Sequence, residues 1–190
     1  MLKKGFLEAA WPRREHRQML ELTPIEYEDK TVLYNLIQFY RYDSSEFDGH
    51  VLTSHGVYLY KYLDHQWTEE YRRPLFIKTD GELAGFALVA LDVPKEFVKV
   101  SDALETNIIG DFFIMRKFRR KGLGRESAFT IFDRFPGPWE IRQTAANTPA
   151  NQFWKRVIHA YTGGSYKEMI LEGERWTGPV QVFDSRNRSL

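Results

Sequence analysis

The chain contains no cysteine. A disulfide scaffold, a thiolate metal site and a cysteine acyl-enzyme are excluded on composition alone. It also lacks any apolar run approaching the roughly 18 residues that a membrane-crossing helix requires. An excess of charge of one sign is missing too, since 27 basic and 26 acidic side chains leave a net charge of +1, and no bulk polyanion is implied. No Gly-x-Ser-x-Gly or other nucleophile pattern occurs. The five histidines, His16, His50, His55, His65 and His159, do not fall at metal-ligand spacing, so no metal is expected. Of these only His65, beside Asp64, reads as a candidate base. The first residues carry charge rather than an uninterrupted apolar run, so no secretory leader is read. A cytoplasmic location is expected, with no membrane or nucleic-acid partner.

What remains is an ordered, aromatic-rich chain. Aromatic residues make up 15% of it and its 190 residues suit one well-buried domain. Residues 1–18 differ in character, with Lys3, Lys4, Arg13, Arg14 and Arg17 around Pro12. They read as an N-terminal extension, a solvated tail ahead of a single domain over 19–190. From Leu20 to Thr23 the alternation predicts a strand ended by Pro24. A helix follows, with Asp29 near its start and Val32, Leu33, Leu36, Ile37 and Tyr40 on one face. Between Arg41 and Arg73 the periodicity is weak, and tyrosines mix with Asp43, Glu46, Asp48, Asp64, Glu69 and Glu70. Then Pro74 to Thr79 and Glu82 to Leu91 form a hairpin, because Asp80-Gly81 supplies the positive φ of a two-residue turn. Val93 to Thr106 reads as a polar connection.

The segment from Ile108 to Phe135 organises the rest. Ile108 to Met115 is too short for a stable helix and too rich in Ile and Phe for a loop, so it reads as a buried strand. Gly124, Ala128, Phe129, Phe132 and Phe135 then share one face at helical spacing. Between strand and helix lies the basic turn Arg119-Arg120-Lys121-Gly122-Leu123-Gly124-Arg125. Such a turn gathers backbone N–H groups at the positive end of a helix dipole, which makes it an anion site. A Walker phosphate loop is ruled out, for the turn lacks the first glycine and the hydroxyl that follows the lysine. A dinucleotide fingerprint fits poorly, because Gly124 is followed by Ser127 and Arg142 stands where the acidic ribose partner belongs. Arg119-x-x-Gly122-x-Gly124 matches the third pattern, Arg/Gln-x-x-Gly-x-Gly/Ala after a strand.

Here the sequence resembles the GCN5-related N-acetyltransferases (GNAT), whose loop of this form wraps the pyrophosphate of acetyl-CoA. Asp111-Phe112-Phe113-Ile114-Met115 is similar to the E-D-F-F-V-M strand of the diamine acetyltransferases, with Gly110 in place of glutamate. Downstream, Trp139 to Thr144 reads as a strand, and Asn147-x-x-Ala150-x-x-Phe153-Trp154 resembles the family's N-x-x-A-x-x-F-Y segment. The helix from Pro149 carries Ala150, Phe153, Trp154, Val157 and Tyr161 on one face and stops at Gly163-Gly164. Tyr166 to Leu171 and Val180 to Phe183 make a closing pair of strands.

The resemblance implies an α/β (α+β) GNAT fold: a mixed, mostly antiparallel sheet of six to seven strands, helices on both faces, and a splayed parallel pair holding CoA. It implies acetyl-CoA as co-substrate and an amine as acceptor, and it leaves room for a homodimer. Phe112, Phe113 and Ile114 would bind pantetheine through the backbone. Arg119, Arg120, Lys121, Gly122, Leu123, Gly124 and Arg125 would hold the pyrophosphate, and Asn147 the pantetheine arm. Residues 41–73 would form a substrate lid whose acidic and aromatic side chains suit an amine. Asp111 is the candidate general base or orienting partner, with Glu140 on the adjacent strand as an alternative through water. Trp154 stands where the family's proton-donating tyrosine is found, and Tyr161 and Tyr166 are the nearest tyrosines. An acyl-CoA-binding module without catalysis is the rival reading.

Overall fold

The computed structural model describes residues 19–173 and 176–187, so the N-terminal extension lies outside the described residues. In chain order the elements are β1 (Leu20–Pro24), α1 (Lys30–Asp48), α2 (His65–Thr68), β2 (Arg72–Thr79), β3 (Glu82–Pro94), β4 (Glu105–Ile114), α3 (Leu123–Arg134), β5 (Pro138–Arg142), α4 (Thr148–Thr162), β6 (Lys167–Gly173) and β7 (Trp176–Asp184). They form one seven-stranded sheet ordered β1-β2-β3-β4-β5-β7-β6. Neighbours run antiparallel except β4 and β5, which are parallel and joined through α3.

The hairpin forms around Asp80 and Gly81, both at positive φ, as the Asp-Gly signal requires. The sheet separates two apolar layers. On one face Leu33, Leu36 and Ile37 of α1 pack on Phe76, Phe86, Leu88 and Phe113. On the other, Leu123, Ala128, Ile131 and Phe132 of α3 and Trp154, Val157, Ile158 and Tyr161 of α4 pack on Leu75, Ile77, Val89, Ile109 and Ile141. Alternation along β4 thus sends Phe113 to the α1 layer and Phe112 and Ile114 to the α3–α4 layer.

Several boundaries differ from expectation. β3 runs to Pro94 and β4 starts at Glu105, so the polar connection expected over Val93 to Thr106 is strand at both ends. Helix α1 continues to Asp48, so the stretch from Arg41 is helical for its first turns, and irregular backbone occupies residues 49–64. Tyrosines had hidden the helical period, since Tyr40 points inward while Tyr42 is exposed. β5 ends at Arg142 instead of Thr144. β6 is exposed along nearly its whole length, which explains the weak apolar signal of the closing strands. No described helix is long and apolar enough to cross a membrane.

Candidate active site

The site begins where two parallel strands part. β4 and β5 are paired at Asn107–Trp139, Ile108–Glu140 and Ile109–Ile141, and β4 then runs on to Ile114 with its β5 side open. On its other side β4 follows β3, with a register shift that pairs Leu88 with Asp111 and Val89 with Ile109, leaving Gly110 as the extra residue. A Cβ at Gly110 would meet only the Leu88 carbonyl, at 3.5 Å, an ordinary contact, so the position accepts a Cβ.

The open edge leads into the basic turn. After Ile114 a short 3-10 turn (Arg116–Phe118) brings the chain to Arg120 at φ +63 and Gly122 at φ +89, and α3 starts at Leu123 with no side chain capping it. Gly122 takes a conformation that an L-residue adopts only at a cost of about 1–2 kcal/mol. Gly124 is small for another reason: a Cβ there would lie 3.2 Å from the ring of Phe153, so its absence lets α3 and α4 approach. The amides of the first turn of α3 therefore point out of the helix end toward solvent or an anion.

A cleft of about 630 Å³ joins these parts. Its walls include Tyr40, Asp43 and Phe47 of α1, Phe112 to Ile114, the loop glycines Gly122 and Gly124, and Asn147, Phe153 and Trp154 of α4. Arg120 and Arg125 line it, as does Arg156, which the sequence motif does not include. Lys121 is exposed outside the lining and the Leu123 side chain is buried in the core, so what these two positions offer the cleft is backbone. Asn147 caps α4, its Oδ1 accepting from the Ala150 N–H at 3.1 Å. That leaves the amide NH₂ of the same side chain as a donor.

Arg119 departs from the expectation that it adds charge to the anion site. Its Nε donates to the Ile114 carbonyl at 2.6 Å, another guanidinium nitrogen donates to Asp43 at 2.5 Å, and the group lies over the Phe113 ring. Arg116 donates to the same carboxylate at 2.7 Å. Burial would raise the Asp43 carboxyl, but the Arg119 and Arg116 hydrogen bonds outweigh it and hold it below its ordinary value. The first arginine of the motif is therefore a brace between α1 and the loop.

Asp111 lies on the α1 side of β4. Its two oxygens accept from Tyr40 Oη at 2.6 Å and Tyr60 Oη at 2.5 Å. Burial first, and the Asp111 charge second, push both phenols above their ordinary value, so both remain donors. Arg41 covers the two tyrosine rings at 5.7 and 5.2 Å. In the sequence Tyr40 reads only as part of the apolar face of the first helix, and Tyr60 carries no signal, because it reaches the strand from an irregular segment 51 residues away.

The alternative catalytic residues are either placed elsewhere or, like Trp154 in the cleft wall, packed among other rings. Glu140 is fully buried and its carboxylate accepts from the backbone N–H groups of Lys99, Val100 and Ser101 at 2.8 to 3.2 Å. It clamps that loop and cannot serve as the water relay suggested by its strand position. Tyr161 is buried and donates to Asp133 at 2.7 Å, and Tyr166 packs beside His159. Trp154 is buried among Phe112, Phe132 and Phe153. His65 faces Glu69 and the Tyr62 ring, outside the cleft, while Asp64 pairs with Lys30. Among the described residues no group of three or more His, Asp or Glu is placed to hold a metal ion.

Comparison with known proteins places the family and the fold. Residues 33–159 match the model of the acetyltransferase (GNAT) family. Among solved structures, an acetyltransferase from Thermus thermophilus superposes with a TM-score of 0.63 at 16% identity, over 87% of this chain and 96% of that one. The aminoglycoside acetyltransferase AAC(6')-Ib in complex with coenzyme A gives 0.62 at 14% identity, over 89% and 96%. The spermidine N-acetyltransferase of Vibrio cholerae, in complex with CoA and spermine, gives 0.56 at 10% identity, over 88% and 96%. At these identities the likeness establishes the fold. No curated protein matches the sequence.

Proposed function

The chain belongs to the GNAT acetyltransferase family, and from that premise we propose that it transfers the acetyl group of acetyl-CoA to a primary amine by direct attack on the thioester. The observation that carries this reading is the parting of β4 from β5 after Ile109, which opens a strand edge straight into the uncapped, arginine-flanked N-terminus of α3 within one cleft. That edge suits a ligand with amide groups in its middle and phosphates at one end. The amides of Arg120 to Arg125 take the pyrophosphate, with Arg120 and Arg125 adding charge. The backbone of Phe112, Phe113 and Ile114 pairs with the pantetheine amides, and the free NH₂ of Asn147 meets a pantetheine carbonyl. The thioester then lies back along β4, toward Gly110 and Asp111.

An alkylamine of pKa near 10.4 is only about one part in a thousand neutral at pH 7.4, a handicap of roughly 4 kcal/mol. Asp111 answers it. Each carboxylate oxygen accepts one phenol and keeps a second lone-pair site, so the side chain can hold the ammonium and accept its proton, directly or through water. The amine nitrogen bonds to the acetyl carbon, the carbon–sulfur bond breaks, CoA leaves as thiolate, and the second proton of the original ammonium passes from the nitrogen to the thiolate or to water. A thiolate of pKa near 8.5 departs without a tyrosine donor, which accommodates the buried Trp154.

Thiol release from acetyl-CoA across a panel of amines, with Asp111→Ala in parallel, tests the proposal. Release that depends on the amine and falls by about 100-fold in the variant is expected. The burial of Trp154 also favours a second reading, an acyl-CoA-binding module without turnover. Stabilisation by CoA on heating, with no amine raising thiol release above the blank, would establish that one instead.

A further inference from the structure

We infer that the acceptor is a monocationic amine with an apolar or aromatic body, and not a polycation; this rests on the acetyl-transfer reading and names its substrate class. The first ground is a tally of carboxylates. Residues 41–73 look acidic enough in sequence for a polyamine, yet folding pairs most of these groups with the chain's own cations. Asp43 takes Arg116 and Arg119, Asp48 takes His50 at 2.8 Å and Arg41 at 3.5 Å, Asp64 takes Lys30, and Glu69 takes Arg72 at 2.7 Å. Glu46 lies in the cleft beside Arg116, on which its charge acts. Glu70 lines a separate hollow with Arg72, Arg73 and Arg134.

Asp111, bonded to two phenols, stands where the open edge of β4 begins. A second positive charge on the acceptor would meet Arg41, which covers both tyrosines bonded to Asp111. Asp48, the counter-ion of Arg41, is shared with His50, so it leaves no spare carboxylate to offset that repulsion, which discriminates against such a ligand.

The second ground is the surface around that carboxylate. Phe39 and Leu59 adjoin Tyr40 and Tyr60 in the chain and are 59% and 60% exposed, and Tyr62, 56% exposed, packs edge-on against Tyr60. The segment that carries Leu59 and Tyr62 is held to α1, which carries Phe39: Gln38 donates to the Tyr58 carbonyl at 3.2 Å and accepts from its N–H at 2.7 Å. Large apolar side chains kept exposed, chain neighbours of the two tyrosines that hold a single carboxylate, match an ammonium group on an apolar body.

The experiment measures phenethylamine against spermidine and kanamycin, by thiol release and by calorimetric titration of the full chain with CoA present, for the wild type and Leu59→Asp. Phenethylamine is expected to exceed both polycations in kcat/KM by about tenfold or more. Leu59→Asp should lower its affinity several-fold while CoA affinity stays unchanged. Spermidine or kanamycin as the better substrate or ligand, or no phenethylamine binding at all, overturns the inference. The two readings separate cleanly. Turnover of spermidine would leave acetyl transfer standing and remove the acceptor class. Tighter phenethylamine binding, sensitive to Leu59→Asp and without thiol release, would keep the class and remove the transfer.

Discussion

The anion-binding loop and the Asp111 cluster, which touches the cleft through Tyr40, are built from different parts of the polypeptide. At the loop end, the working groups are backbone amides, presented by a glycine at positive φ and a helix start with no side-chain cap. At the Asp111 end they are side chains, drawn from β4, from α1 and from the irregular residues 49–64. A backbone site depends on local conformation, which a few residues in a row dictate. A side-chain site depends on which distant segments the fold brings together. The first is robust to the identity of most neighbours and the second is not, which explains how one fold can keep its CoA end while its acceptor end varies.

The sharpest way to break the loop end is Gly122→Val. A β-branched residue cannot hold φ +89, so the turn must rearrange and the amides lose their common direction. Acetyl-CoA affinity, measured by titration, is expected to fall by about 100-fold, with a stability loss of about 1–2 kcal/mol. No Cβ clash occurs at this position, so the protein should remain folded.

At the other end, Tyr40 and Tyr60 tie the Asp111 carboxylate to two further elements. Both phenols have a folded-state value raised above the unfolded one, so their contribution to stability is complete below pH 10 and is lost as the pH rises beyond it. The melting temperature of the wild type should therefore drop above about pH 10, and the drop should be smaller in Tyr40→Phe/Tyr60→Phe. At neutral pH the double variant should itself be less stable by about 1–3 kcal/mol, because the Asp111 bonds are lost. Equal alkaline slopes in both proteins would show that the pair does not tie down the acceptor end.

The smallest change expected is in Gly110→Glu, which restores the glutamate of the diamine acetyltransferase strand. The bulge accepts a Cβ, with the nearest obstacle at 3.5 Å, so stability should change by less than about 0.5 kcal/mol. A second carboxylate beside Asp111 should raise spermidine turnover relative to phenethylamine by a few-fold, since it supplies the counter-charge that the wild type lacks. An unchanged ratio would mean that charge at this end of β4 does not select the acceptor.

Much of this architecture is legible along the chain. Asp80-Gly81 marks the hairpin, Gly163 ends α4, and the run from Ile108 to Met115 announces the central strand, because each rests on short-range backbone preference or on period. The loop from Arg119 to Arg125 is read the same way. Reading fails where one side chain has two plausible partners. Arg119 looked like a phosphate ligand and is held by Asp43, Glu140 looked like a relay and holds a loop, and the acids of residues 41–73 looked available. A sequence records charges but not their pairing.

By itself, then, the sequence determined the strand, turn and helix around Gly122, the family they belong to and the anion-binding character of the turn. The reason is that glycine conformation, hydrophobic period and the helix dipole act over a handful of neighbouring residues. The tertiary structure alone decided that β5 leaves β4 at Ile109, that Tyr40 and Tyr60 converge on Asp111, and that most acidic groups of residues 41–73 are already neutralised. Those outcomes join residues tens of positions apart. They follow from burying two apolar layers against one twisted sheet, a constraint that no local pattern carries.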